Sequence, residues 1–295
     1  LVGSEMCIRD RYFNYQLKIG RIYMDTFQGT TFTVGNFKGG VGKTKIVSML
    51  AYDNAMIRNR KTLIIDLDPQ ANLTQVIART FGITDIKTTI TNGVANGELA
   101  SSIIKVNENL DLLACDTSFR SFSAFANKHE NELDQVTVLK KLLLPIKNNY
   151  QEIFIDVPPT ISEFSDNAMA ASDYSIISFQ TAEESLEGVN KYVNYQKFMV
   201  DRYDLDLQII DIVPCMVEPN DDFDEEILEE AIEKYGTVVS KNLIHYQKRL
   251  RRYSKIGIHL RKYKNGNFDQ WDYKAHQVFI NILAELDARQ EFLNK

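Results

Sequence analysis

KGGVGKT, residues 38–44, lies between two stretches with very different patterns. TTFTVGNF (30–37) is β-branched and aromatic, as in a buried strand, and TKIVSMLAYDNAMIRN (44–59) has the apolar spacing of a helix. In such a strand–loop–helix, glycines let successive backbone N–H groups point at phosphate oxygens, and the helix N-terminus adds partial positive charge. The stretch predicts a phosphate-binding loop in which Lys43 reaches the β- and γ-phosphates and the Thr44 hydroxyl binds Mg²⁺.

Short apolar runs alternate with helical patterns along most of the chain. The other predicted strands are 62–68, 109–115, 152–157, 174–179 and 207–213, and predicted helices lie near 134–145, 163–171, 184–201 and 272–290. Near-continuous Ile, Leu and Val strands separated by helices are typical of a parallel sheet that is covered on both faces. We therefore predict the α/β class, with a mostly parallel twisted sheet and helices on both faces, like the P-loop NTPases.

The loop departs from the standard GxxxxGK[ST] pattern, because Phe37 stands where the first glycine is required and Lys38 begins the loop. In this form it resembles the deviant Walker motif of the ParA/MinD superfamily, and in particular the ParA-type ATPases. In that family the first lysine, here Lys38, reaches across a nucleotide-sandwich dimer to the partner's ATP. The resemblance therefore implies an ATP-dependent homodimer in which Lys38 is an intermolecular countercharge.

Two further segments end predicted strands with acids. DLDPQ (66–70) places Asp66 and Asp68 at spacing i, i+2, so both carboxylates can point into one crevice at the carboxyl end of the strand. It resembles the family's DxDPQ switch, and DVPP (156–159) resembles its Walker B segment. By that resemblance, Asp66 supports the magnesium shell, Asp68 orients the attacking water, and Asp156 holds Mg²⁺ through a water. The resemblance extends over about residues 31–260.

The resemblance also implies the cofactors, ATP and Mg²⁺, and the residues that bind them. Catalysis would rest on positioning and charge neutralisation by Lys38, Lys43 and Asp68. Lys45 stands where a second Thr or Ser usually bonds the α-phosphate, and Pro214 and Cys215 replace the usual residues after the strand that approaches the base. The predicted nucleotide contacts are Lys38, Gly39, Gly40, Val41, Gly42, Lys43, Thr44, Lys45, Pro214 and Cys215, and the predicted metal set is Thr44, Asp66 and Asp156.

Composition and the chain's first residues set the expected domain organisation. We expect residues 1–23, which begin with LVGSEMCIRDR, to be non-native or disordered, and residues 24–295 to form a single deviant-Walker P-loop ATPase domain. No stretch of about 18 apolar residues predicts a membrane helix. The 3 cysteines are far apart and fit a reducing cytosol better than a metal site or a disulfide framework.

Charge is unevenly distributed in the last third of the chain. Residues 218–233 carry nine acids and no base, which we interpret as a solvated helix face, whereas residues 241–264 carry nine bases and no acid. In the basic run the cations are interleaved with aromatic and aliphatic residues, and this resembles the DNA-contact region of the family. We predict nonspecific DNA binding through Lys241, Lys248, Arg249, Arg251 and Arg252. The alternative is a helix face that makes salt bridges with 218–233.

Together these features predict an ATP-dependent DNA-partitioning ATPase, cytoplasmic and nucleoid-associated. Its ATP-driven dimer would bind DNA nonspecifically, and a ParB-like partner would stimulate an otherwise slow hydrolysis. One alternative is a MinD-like or protein-cargo positioning ATPase that acts on a membrane or other surface without DNA. No membrane partner is expected, because the balanced charge of 286–295 differs from a basic amphipathic membrane helix. A second alternative, a metabolic P-loop kinase or ligase, would leave Lys38 unexplained.

Overall fold

The computed structural model describes residues 27–294 and, within them, all side chains except those of 183–185. Eight strands form one sheet in the order β3-β4-β2-β5-β1-β6-β7-β8. All neighbouring strands are parallel except β3 and β4, which are antiparallel. The predicted mostly parallel sheet is therefore confirmed. The strands are β1 Thr30–Gly35, β2 Thr62–Asp66, β3 Ile103–Lys105, β4 Leu110–Leu113, β5 Glu152–Asp156, β6 Tyr174–Gln180, β7 Gln208–Val217 and β8 Ile244–His245.

Helices fill most of the connections between these strands. Within residues 27–294 they are α1 Lys43–Met56, α2 Asn72–Phe81, α3 Ile90–Asn96, α4 Phe122–Ala126, α5 Glu132–Val136, α6 Val138–Lys147, α7 Glu163–Ala171, α8 Glu183–Tyr203, α9 Asp222–Tyr235, α10 Lys248–Ile256 and α11 Gln270–Leu293. None of them combines the length and the apolar character needed to cross a bilayer. The expectation for residues 1–23 lies outside the described residues.

Side chains of β2 and β5 alternate between two hydrophobic cores on opposite faces of the sheet. Ile64 and Phe154 lie in the core that α1 and α11 cover. Their chain neighbours, such as Leu63 and Ile153, lie in the opposite core under α6 and α7. This alternation follows from the period of two along a strand, and it explains why these strands are apolar at almost every position.

The sheet aligns the three loops that follow β1, β2 and β5. Asp156, at the end of β5, lies in register with Val34 of β1 on one side and with Asp66 of β2 on the other. The chain also changes direction here, since β1 is flanked by β5 and β6 instead of by β2. Open α/β sheets bind ligands at such a switch point, outside the carboxyl ends of the strands.

Candidate functional site

The loop between β1 and α1 has glycine where its backbone turns. Gly40 and Gly42 have φ values of +81° and +89°, a region that residues with a side chain rarely adopt. At Gly42 an added Cβ would also lie 3.2 Å from the Sγ of Cys215. No described side chain caps the N-terminus of α1, which begins at Lys43. The first N–H groups of α1 are therefore available to an anion in the loop.

The loop is held from below by the ends of β1, β6 and β7. Asn36 donates from Nδ2 to the carbonyl oxygen of Ser178 at 2.7 Å, and its Oδ1 accepts from the N–H of Lys38 at 2.9 Å. The carbonyl oxygen of Val41 accepts from the Ser178 hydroxyl and from the Cys215 thiol, the latter at 2.8 Å. These bonds fix the curl of the loop from inside the protein, so its upper side is left to a ligand.

The sequence predicted that Pro214 and Cys215 contact the nucleotide, but both lie in the sheet beneath the loop. Both are buried within β7, and Cys215 supports the loop from beneath, so we no longer assign a base contact to Pro214. A cavity of about 370 Å³ opens beside them, and its walls include Gly42, Met216 and Tyr246. Because these walls are mainly apolar, a flat base would pack there against Met216 and Tyr246, and Cys215 also lines the cavity.

Phe37, at the position of the missing glycine, anchors the start of the loop to α8. Its ring centroid lies 5.0 Å from that of Tyr192 and 5.3 Å from that of Tyr195. Lys38 follows it, half-buried, with its Cβ 3.7 Å from the position that a Cβ on Gly188 would take. The side chain of the first lysine of the loop therefore starts beside α8.

Lys43 is buried at the start of α1 and lines a second cavity, of about 390 Å³ above the loop, which we call the phosphate cavity. Its Nζ donates to the carbonyl oxygen of Lys38 at 3.1 Å. Burial lowers the pKa of Lys43, and the nearby carboxylates of Asp156 and Asp68 oppose that shift. A phosphate group in the loop would supply negative charge to this ammonium group where water cannot reach it.

The structure brings Thr44 and Asp156 together. The Thr44 hydroxyl donates to Oδ2 of Asp156 at 2.7 Å, while Oδ1 of Asp156 is buried with no hydrogen-bond partner among the described residues. Burial, together with the carboxylate of Asp66, raises the pKa of Asp156 well above its usual range. A buried carboxylate oxygen without a donor favours a nearby cation, and Mg²⁺ prefers oxygen ligands. Thr44 and Asp156 therefore fit the predicted magnesium site.

Asp66 is directed elsewhere, which corrects its assignment to the metal set. Its Oδ2 accepts from the N–H and the hydroxyl of Thr74, at 2.9 and 2.8 Å, and its Oδ1 accepts from the N–H of Asp68 at 3.0 Å. Burial raises the pKa of Asp66 to about 6, and these hydrogen bonds oppose the shift. Since protein donors occupy both oxygens, Asp66 holds α2 and the backbone of Asp68 in place.

Asp68 is half-buried and also lines the phosphate cavity, of about 390 Å³ above the loop. Its Oδ1 accepts from the N–H of Gln70 at 2.9 Å, which orients the carboxylate. The sequence analysis missed several other residues of this cavity. Among them are Asn72, Gln75 and Arg79, which recur every three or four positions on α2, the helix after DLDPQ, and Ser254 of α10.

Lys45, a predicted nucleotide contact, is bonded to α10 in the structure. Its Nζ donates to the carbonyl oxygen of Leu250 and to the hydroxyl of Ser254, both at 2.7 Å, so the side chain reaches across to α10. Burial lowers the pKa of Lys45 to about 8. A threonine would be too short for this contact, whereas lysine joins the loop to the basic run. Because Lys45 also lines the cavity above the loop, its contact with the nucleotide stays a prediction.

The basic run includes α10, which has one buried and one exposed face. Leu250 and Tyr253 are buried, while four cations are exposed, namely Lys248, Arg251, Arg252 and Lys255. No ion pair within residues 27–294 joins this run to the acids of 218–233, most of which are exposed on α9. The described residues therefore do not form the salt bridges between the two runs that the alternative required.

Two of the predicted DNA contacts do not belong to this exposed face. Arg249 is largely buried and pairs with Asp269 and Asp272, at 3.0 and 3.2 Å. The backbone N–H of Lys241 donates to Glu285 of α11. At about 1.5 Å per residue, Glu285 is about 20 Å along α11 from Asp272, the residue that binds α10, so Lys241 lies away from α10. We therefore remove Arg249 from the predicted DNA surface. Lys241 is exposed and lies outside α10, and its contact with DNA stays a prediction.

Comparison with known proteins agrees with this arrangement. A family model described as an AAA domain matches residues 29–209. The sporulation initiation inhibitor protein Soj of Bacillus subtilis is 27% identical over 226 residues, which cover 75% of this chain and 86% of Soj. An uncharacterized protein of Methanocaldococcus jannaschii is 36% identical over 168 residues, which cover 53% of this chain and 61% of that protein.

A solved structure also matches most of the chain. It is that of a putative plasmid partition protein from Borrelia burgdorferi B31 bound to AMPPNP. The match has a TM-score of 0.68 and 26% sequence identity, and it covers 87% of this chain and 99% of the Borrelia chain.

Proposed function

Because the chain belongs to the ParA family of ATPases, we propose that it is an ATP-dependent DNA-partitioning ATPase. In this proposal ATP drives two copies into a sandwich dimer, the dimer binds DNA nonspecifically in the cytoplasm, on the nucleoid, and hydrolysis releases it. Hydrolysis by the protein alone is slow, and a ParB-like centromere-binding partner stimulates it.

The proposed ATP site is supported by the loop geometry and by the unpartnered oxygen of Asp156. The loop N–H groups and the ammonium group of Lys43 would hold the phosphates, and the cavity beside Met216 would hold the base. Thr44 and Asp156 would hold Mg²⁺, which, when bound, neutralises negative charge on the phosphates. Asp68 would orient the attacking water, so catalysis depends on positioning and needs no strong base.

The proposed dimer is supported by the position of Lys38 at the start of the loop, beside α8. Two ATP molecules bring about eight negative charges to a sandwich interface, and a cation donated by each loop to the partner's phosphates offsets their repulsion. Lys38 starts the loop on the α8 side, and its backbone is held by Asn36. ADP offers one phosphate group fewer, so we expect a stable dimer with ATP and not with ADP.

One observation carries the DNA part of the proposal: the exposed cations of α10 lie on a helix bonded to the nucleotide site. Lys45 of α1 and Arg79 of α2 both donate to α10, and both line the phosphate cavity. Lysine and arginine side chains on one helix face bind phosphates of any DNA sequence. The geometry thus supports nonspecific DNA binding next to the nucleotide.

Replacing Lys248, Arg251 and Arg252 with alanine is expected to weaken DNA binding at least about tenfold in the presence of ATP and Mg²⁺. If all three cations contact phosphates, the negative slope of log affinity against log salt should become less steep by about 2.7 per protomer, at about 0.9 per contact. Fluorescence anisotropy with labelled duplexes of unrelated sequence, repeated at several salt concentrations, measures both quantities.

A matched control removes the same charge from another part of the surface. Lys87, Lys140 and Lys197 are exposed and lie outside α10, and their joint replacement with alanine should leave DNA affinity close to that of the unmodified protein. DNA binding that responds neither to ATP nor to the α10 substitutions would contradict the proposal. ATP-dependent pelleting with liposomes would favour the surface-positioning alternative instead.

A further inference from the structure

Two cations from the nucleotide site hold the basic helix α10. Lys45, next to Thr44 on α1, donates to the carbonyl oxygen of Leu250 and the hydroxyl of Ser254, both at 2.7 Å. Arg79, on the helix that follows DLDPQ, donates to the carbonyl oxygen of Ser254, also at 2.7 Å. The helices that start at the two halves of the nucleotide site are therefore bonded to the same turn of α10.

The same two cations line the phosphate cavity. Its lining includes the loop, Asp68, Lys45, Arg79 and Ser254, in a volume of about 390 Å³. A phosphate oxygen carries negative charge, so it adds Coulomb attraction to a hydrogen bond from a lysine or arginine, and a neutral oxygen does not. The carbonyl and hydroxyl oxygens of α10 are neutral, so phosphates in this cavity compete with them for both side chains.

The remaining contacts of α10 do not involve the phosphate cavity. Arg249 pairs with Asp269 and Asp272, and the hydroxyl of Tyr253 donates to Asp272 at 2.8 Å. At its end, Gly257 has a φ of +85° and lies so close to α2 that an added Cβ would be 2.7 Å from the Cα of Thr80. These contacts keep α10 attached to the protein when Lys45 and Arg79 let go, so the expected change is a loosening or tilt and not a detachment.

We propose that Lys45 and Arg79 couple phosphate occupancy to the position of the DNA-binding helix. They hold α10 while the cavity is empty, and they turn to the phosphate oxygens when a nucleotide enters. Both are positioning residues, since they act on DNA binding through α10. The inference rests on the proposed function, because it needs a nucleotide in the cavity and DNA on α10.

Hydrogen–deuterium exchange of residues 248–256 tests this coupling in the full chain. In the nucleotide-free protein, the double substitution Lys45→Thr and Arg79→Gln should raise exchange in α10 about tenfold, the factor expected for losing charge-assisted hydrogen bonds. Adding AMPPNP and Mg²⁺ to the unmodified protein should raise the exchange in α10 in the same direction. In the double variant, the nucleotide should add little further change.

Two controls make the result specific. Lys140→Thr removes an exposed lysine of α6 and should leave exchange in α10 unchanged, and Lys45→Arg keeps a cation long enough to reach α10 and should preserve its protection. Binding of a fluorescent ATP analogue is measured on every variant. If the unmodified protein binds nucleotide but neither the nucleotide nor the double substitution changes exchange in α10, the coupling is overturned and the proposed function stands. If the unmodified protein binds no nucleotide, both are overturned.

Discussion

Replacement of Lys38 with alanine is expected to abolish dimer formation in ATP and Mg²⁺ at protein concentrations that dimerise the unmodified chain. The side chain begins at the start of the phosphate loop, beside α8, and in the proposed dimer it reaches a partner's phosphates. Truncating one member of a buried, hydrogen-bonded charge pair at an interface costs about 2–5 kcal/mol, so the dimer should weaken by more than about 30-fold. Sedimentation velocity with AMPPNP at several protein concentrations measures this change.

The same variant separates dimerisation from nucleotide binding. Lys38 would neutralise the partner's triphosphate, so the affinity of the monomer for ATP should change much less than dimerisation does. Lys43→Ala is the matched comparison, because Lys43 lies buried under its own cavity and its loss should abolish ATP binding itself. A Lys38→Ala protein that still dimerises with AMPPNP would show that another group bridges the two copies.

Replacement of Asp156 with asparagine is expected to raise the Mg²⁺ concentration needed for half-maximal ATP hydrolysis by about 10–100-fold, the usual cost of changing an outer-shell partner of a metal. Asparagine can still accept a hydrogen bond from the Thr44 hydroxyl, but it removes the negative charge of the carboxylate whose other oxygen is buried without a donor. A Mg²⁺ titration of phosphate release measures the shift, and excess EDTA should stop hydrolysis in both proteins.

Asp66→Asn is the control for this experiment, since Asp66 is also a buried carboxylate at the same level of the sheet. Its oxygens accept from Thr74 and Asp68, so its loss should destabilise the fold by about 1–3 kcal/mol through unsatisfied hydrogen bonds. Denaturant unfolding should show this loss, while the Mg²⁺ midpoint should remain close to that of the unmodified protein. Equal shifts in the two Mg²⁺ midpoints would contradict the separate roles of the two carboxylates.

These two carboxylates also show where prediction from the sequence ends. Both follow apolar strands, and the sheet puts them side by side in register, so their sequence patterns are nearly the same. The two carboxylates differ in their hydrogen-bond partners, because Thr74 of α2 supplies two donors to Asp66. The strands and the loop could be predicted because they are coded by adjacent residues, whereas this contact depends on how α2 packs.

The basic run is a second example, and part of its arrangement could be predicted from the sequence. Leu250 and Tyr253 are three residues apart and mark the buried face of α10. Arg249 is four residues before Tyr253 and shares that face, so its helical position already separates it from Arg251 and Arg252. Its partners Asp269 and Asp272, on the next helix, could not be identified from local pattern.

The strands that the sequence analysis missed are the two at the edges of the sheet. β3 and β8 contain 3 and 2 residues, too few for a periodic pattern. The link from Lys45 to α10 was missed for another reason: its partners lie 205 and 209 residues away in the sequence. Comparison with the family pattern marked Lys45 as a departure, but only the folded structure gives it a partner.

The central claim is that the triphosphate state of the bound nucleotide sets the number of copies in the assembly. Multi-angle light scattering of the purified chain tests it most directly, in three samples: without nucleotide, with ADP and Mg²⁺, and with AMPPNP and Mg²⁺. We predict one chain, of 33.9 kDa, in the first two samples and twice that mass in the third. The same mass in all three samples, with AMPPNP shown to be bound, would contradict the claim.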